Sequence, residues 1–122
     1  LVVFGLGYGL SSLFEVEWLA TRPLYYWGDI DTHGYAMLNR LRERFPHTRS
    51  MLMDETTLTA CREFWGEEPE PVVADLPHLT ADEQSVYQKL LRHHWTQRLR
   101  LEQEHIPFIY VEHFLTALRE EL

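Results

Sequence analysis

The sequence has one cysteine, Cys61. That excludes an internal disulfide and any zinc site built on several thiolates, and a reducing, cytoplasmic setting fits it. It has one lysine, Lys89, so ten of its eleven basic residues are arginine. No apolar run approaches the roughly 20 residues that a membrane-spanning helix needs. The apolar opening, LVVF, is short and has no basic segment ahead of it, which argues against a secretory signal. There is no initiator methionine, and the chain opens inside what reads as a strand, so it is expected to be a piece of a longer protein. Basic residues are outnumbered by acids, with a net charge of −8. That weighs against a free-standing duplex binder, because such affinity comes from neutralising phosphates.

What is present is ordinary for a globular chain. At 122 residues, with 45% hydrophobic and 25% charged residues, a single domain over 1–122 is expected. LVVF reads as a buried strand and GLGYGLSS as a glycine-rich turn. A helix follows over 12–20 with Ser11 or Ser12 as its cap. LYYWGD, residues 24–29, lacks alternation, as expected of a strand covered on both faces. Residues 32–45 read as a helix, with Tyr35, Leu38, Leu41, Arg42 and Phe45 on one stripe. A short strand at 49–53 and a helix at 56–65 complete a β–α–β–α–β order, which favours parallel pairing. The segment 66–77 carries three prolines and four acids and reads as a loop. Thr80 and Glu83 form a capping box for a helix to about residue 93. RLRLEQEHI is ambiguous between strand and helix, and Pro107 starts a last helix through Glu121.

The chemistry centres on YYWGDIDTHGY. Ligands of open α/β sheets gather beyond the carboxyl ends of the strands. Asp29 and Asp31, two apart in an extended chain, face one way. Unscreened, the pair would raise the pKa of one member. A hard divalent ion relieves that repulsion. Asp31 also reads as the cap of the helix that follows, and a lone acid there needs no function. Gly5, Gly7 and Gly9 would let backbone approach a phosphate, although neither a P-loop nor a dinucleotide fingerprint follows. His33 is a candidate phosphate contact. Asp54 is a candidate extra ligand, with helix capping the favoured role. Arg40 and Arg44 share a helical face and are candidate DNA contacts. Arg98, Arg100, Glu102 and Glu104 read as an ion-pair lattice. Neighbouring His93 and His94 point apart on a helix and make a weak metal pair, and the four tryptophans read as core.

Three blocks, LYYWGDIDTHGYAMLNRLRERFP, SMLMDETTL and RLRLEQEHIP, together resemble the C-terminal domain family of JetD. That protein is the nuclease subunit of the bacterial Wadjet anti-plasmid system, and it is similar to the cleavage subunit of topoisomerase VI. The resemblance implies an α/β fold, a toprim-like (Rossmann-like) parallel sheet flanked by helices, with a helical C-terminal part. It implies metal-dependent DNA cleavage by the intact protein, with Asp29 and Asp31 as catalytic residues holding Mg²⁺ or Mn²⁺. Implied partners are DNA, a second copy of the chain and other Wadjet subunits, with no membrane. The third acid of the toprim site, a Glu, is expected ahead of a strand like LVVF, outside this sequence, together with a winged-helix DNA-binding region. Two other readings of the residues stand beside it. One is a D-x-D phosphatase, against which His33 counts because it stands where a Thr or Val is needed. The other is a non-catalytic module whose acidic loop binds a basic partner.

Overall fold

The computed structural model describes residues 2–4 and 17–121. Three short strands, β1 (Val2–Phe4), β2 (Leu24–Tyr26) and β3 (Arg49–Ser50), form a parallel sheet in the order β1-β2-β3. Val2 pairs with Leu24 and Phe4 with Tyr26, while Tyr25 pairs with Arg49 and Tyr26 with Ser50. Among the described residues four α-helices accompany it: α1 (Thr32–Arg44), α2 (Glu55–Ala60), α3 (Ala81–Leu91) and α4 (Phe108–Glu121). A second, antiparallel pair joins β4 (Gly66–Glu67) to β5 (Leu99–Arg100). The result is a small mixed α/β domain.

Strand alternation explains how the layers form. Leu24 and Tyr26 face one side and pack with Tyr35, Leu38 and Leu41 of α1 and Val86, Tyr87 and Leu90 of α3. Tyr25 faces the other side, with Met51 and with Val111, Phe114, Leu115 and Leu118 of α4. All three β2 residues are therefore buried, and the sheet is covered on both faces. The α1 stripe is buried throughout, Arg42 included. Trp27, Trp65 and Trp95 are half-buried against the core. The glycine turn with Gly7 and Gly9 lies outside the described residues. So does most of the helix expected over 12–20, of which a 3₁₀ turn, Glu17–Thr21, is described.

Several elements are shorter than their sequence patterns. The strand expected over 49–53 stops at Ser50, because Leu52 adopts a left-handed backbone (φ 55°) that ends the extended run. β2 ends at Tyr26 and not at Asp29, as β3 pairs with it only through Ser50. The helix expected over 56–65 breaks at Cys61, after a threonine-rich start of low helix propensity. A 3₁₀ turn, Arg62–Phe64, follows, and the Trp65 indole donates to the Leu58 carbonyl at 2.8 Å. α3 ends at Leu91, just before His93 turns left-handed (φ 55°). The loop 66–77 begins with strand β4. RLRLEQEHI resolves into β5 and a 3₁₀ turn, Gln103–His105, and its leucine alternation prevails because Leu99 and Leu101 are both buried.

Candidate metal centre

Beyond Tyr26 the chain leaves the carboxyl edge of the parallel sheet. Gly28 lies against the Tyr26 phenol, where a Cβ would overlap the ring. Ile30, fully buried, makes a two-way backbone bridge with Leu101, at 2.9 and 3.1 Å. This bridge seats the segment after Leu101 alongside Asp29. It is the contact that assembles the site, and it joins segments seventy residues apart in the chain.

The two aspartates have different partners. Asp29 is half-buried, and its Oδ1 accepts from the Gln103 amide at 2.8 Å. Around that amide the ligand atoms of Glu102, Glu104 and His105 all lie within 4.8 Å of one another. Asp31 is 4% exposed and is the N-cap of α1, with Oδ1 accepting from the Gly34 amide at 2.6 Å. The capping role is therefore real, and it uses one oxygen of the carboxylate. Gly34 is required here for a steric reason. A Cβ on it would fall on the carbonyl oxygen of Asp29, because the first turn of α1 packs directly on that peptide. Gly34→Ala is expected to cost about 1–3 kcal/mol by forcing α1 away from the aspartates. Urea unfolding measures this, and an unchanged midpoint would show that the turn relaxes freely.

The sequence did not single out Glu68. It is 1% exposed, and its carboxylate reaches back onto the start of α1. Oε1 accepts from the Thr32 hydroxyl at 2.6 Å and the Thr32 amide at 3.3 Å, and Oε2 accepts from the His33 amide at 3.0 Å. Asp31 and Glu68 thus share one helix terminus, whose exposed amides and dipole favour negative charge.

The electrostatics record this crowding. Burial, then the Glu68 and Asp29 charges, push the Asp31 carboxyl up to about 7, against the pull of the Gly34 hydrogen bond and of His33. Burial and the same two aspartates hold the Tyr26 phenol well above its ordinary range, so it stays protonated. Glu102 and Glu104 hydrogen-bond to each other, which holds Glu102 below the usual carboxylate range and Glu104 above it, with Asp29 adding to the rise. Carboxylate oxygens and one imidazole are the donors at hand, a set that suits Mg²⁺ or Mn²⁺. Burial is the larger cause of the Asp31 rise, and the neighbouring carboxylates add to it.

The other candidates lie as follows. The exposed His33 ring contacts the Glu70 carbonyl at 2.7 Å, within the same site. Asp54 caps α2, accepting from the Thr57 amide at 2.7 Å. It lines a different cleft, with Ser50, Thr80 and Glu83. Arg40 and Arg44 sit about 12 and 18 Å along α1 from Thr32, at the helical rise per residue, so α1 carries them away from the aspartates. Part of the lattice expected at 98–104 is present, as Arg98 pairs with Glu67 and Arg100 with Glu102. His93 accepts from the Arg98 amide through Nδ1 at 3.2 Å.

Residues 1–115 match the family described as Wadjet protein JetD, C-terminal. This chain belongs to that family. The match covers the Asp29–Asp31 exit, Glu68 and the Glu102–His105 turn. Curated proteins gave no match. No helix among the described residues is long and apolar enough to cross a membrane.

Proposed function

We propose that this JetD C-terminal domain is the metal-binding part of a nuclease that cleaves DNA within the Wadjet system, with a toprim-like core. The observation that carries the reading is the acidic exit of β2. Asp29 and Asp31 leave the carboxyl edge of a parallel sheet and are braced against a second acidic turn by the Ile30–Leu101 bridge. The family membership supplies the system, and the donor set supplies the chemistry.

In this reading Asp29 and Asp31 hold Mg²⁺ or Mn²⁺, and Glu102, Glu104 and His105 stand beside Asp29 as further donors. When bound, the ion polarises the scissile phosphate and stabilises charge on the attacking or leaving oxygen. The chain's own residues do the rest. The Gln103 amide and the Gly34 amide each take one carboxylate oxygen and so fix the orientation of both acids. The Tyr26 phenol, beside the two aspartates, stays protonated at neutral pH. Without a cation this surface repels phosphate, so cleavage should be strictly metal-dependent. The partners proposed are DNA, the other Wadjet subunits and a second copy of the chain, in the cytoplasm.

The test is made on the intact protein. Calorimetry with Mn²⁺ and cleavage of closed circular plasmid are compared for wild type and Asp29→Ala/Asp31→Ala. The double variant should bind no Mn²⁺ at this site and leave the plasmid intact. Unchanged binding and cleavage would sink the proposal.

A further inference from the structure

Glu68 is the most deeply buried acid among the described residues, and the chemistry above does not use it. Its surroundings show a worked arrangement. Both carboxylate oxygens are engaged by the first two residues of α1. The Thr32 hydroxyl, which donates to Glu68, in turn accepts from the Val72 amide at 2.6 Å. The His33 ring meets the Glu70 carbonyl. Residues 68–72 therefore form a strap across the start of α1. The strap is anchored at its other end to the segment that supports Asp29. Glu68 N donates to Arg98 O at 2.7 Å, and β4 pairs with β5, one residue before the Ile30–Leu101 bridge.

Burying a carboxylate costs several kcal/mol unless its hydrogen bonds are met. Here they are met by the first two residues of α1, which engage both oxygens at the edge of a cleft that Glu68 lines with Pro71 and Leu90. A ligand role is thus poorly suited to Glu68, and a bracing role is well suited. We infer that Glu68 is a positioning residue. Through Thr32 and His33 it sets the start of α1, and so the place of the Asp31 carboxylate, relative to the β5 side that holds Asp29. The inference rests on the proposal that Asp29 and Asp31 bind a divalent cation. It goes beyond that proposal in assigning the acidic loop to the site.

The test uses the intact protein with Mn²⁺ as the probe. Glu68→Gln keeps the shape but replaces one acceptor oxygen with a donor that opposes a backbone amide. Thr32→Val removes the hydroxyl that joins the strap to α1 and leaves every acid in place, and Thr32→Ser restores it. Outer partners of metal ligands typically change affinity by about 10–100-fold. Glu68→Gln and Thr32→Val should therefore each weaken Mn²⁺ binding by about 10-fold or more, measured by calorimetry, and raise by a similar factor the Mn²⁺ concentration for half-maximal cleavage. Thr32→Ser should return both to within about 3-fold of wild type, the context scatter of such effects. A purely structural role would lower the folded fraction and leave the affinity of the folded protein unchanged. If Glu68→Gln does not fold, the Thr32 pair decides. Wild-type Mn²⁺ affinity in folded Glu68→Gln or in Thr32→Val overturns the inference. The proposed function fails separately, and only if Asp29→Ala/Asp31→Ala still binds and cleaves.

Discussion

Asp31→Asn is expected to stabilise this domain above neutral pH and to abolish the Mn²⁺ binding proposed for it. The sign follows from linkage. The Asp31 carboxyl has an ordinary value of 3.8 and is pushed up to about 7 in the fold. Folding therefore takes up a proton between those values, and stability falls as pH rises through that window. The carboxyl is uncharged in the fold below it and costs little there. Above it, the fold holds a buried carboxylate beside Glu68 and Asp29. The full penalty is on the order of 4 kcal/mol at about 1.36 kcal/mol per pKa unit. Asn removes the charge and keeps an oxygen for the Gly34 amide, so the cap survives. Urea unfolding at pH 8 should show the variant more stable than wild type by a few kcal/mol, and near pH 4 the two should coincide. Added Mn²⁺ should stabilise wild type at pH 8 and leave the variant unmoved. Equal stabilities at both pH values would contradict the argument.

The second large effect is expected at Arg42. This α1 residue is 9% exposed, and its guanidinium forms a two-toothed pair with Glu83 of α3, at 2.5 and 3.1 Å. It also donates to the carbonyls of Thr48 at 3.0 Å and His78 at 2.8 Å. Glu83 completes the α3 capping box and accepts from Ser50 at 2.7 Å. One ion pair thus ties α1, β3 and the start of α3 together. Arg42→Met leaves Glu83 buried without its partner and should cost about 3–5 kcal/mol, read as a fall in the urea or thermal midpoint. Arg42→Met/Glu83→Leu should recover part of that loss, because no buried charge is then left unpaired. A single variant as stable as wild type would show that water reaches Glu83. Burial pushes Glu83 up, but the bonds from Arg42, Ser50 and Thr80 outweigh it and hold the carboxyl below its usual range. Its contribution is therefore complete above about 4.5, the ordinary value, and is lost as pH falls through the depressed folded value.

Arg42 also shows how a sequence can place a residue correctly without revealing its task. The helical period put it on the apolar stripe of α1, but a charged side chain on that stripe has no visible partner in a linear reading. Its partner lies forty-one positions away, in a capping box that was itself legible from Thr80 and Glu83. The same division runs through the candidate site. Strand, turn and helix around YYWGDIDTHGY could be read locally, because aromatic burial, an N-cap aspartate and a close-packed glycine act over four or five residues. The loop 66–77 could not be read in this way. Its prolines and acids mark it as irregular and exposed, and nothing local distinguishes Glu68, which is buried, from Glu67 and Glu70, which are exposed. The difference is made by the amides of α1, which offer Glu68 three hydrogen bonds.

The parallel α/β order, the exit of two aspartates from β2, the α1 cap and stripe, and the last helix after Pro107 were all legible along the chain. These follow from periodicity, capping and backbone sterics, which are short-range. The sequence also carried the resemblance to the JetD C-terminal family, which the match over residues 1–115 bears out. The surroundings of the aspartates came from long-range contacts. Asp31 turned to α1 and Asp29 to the Gln103 amide. The Ile30–Leu101 bridge brought Glu102, Glu104 and His105 beside Asp29, and a strap from an unremarkable loop placed Glu68 behind Asp31. Those contacts join residues tens of positions apart. They exist because buried acids must find donors, and here the nearest donors are backbone amides supplied by folding.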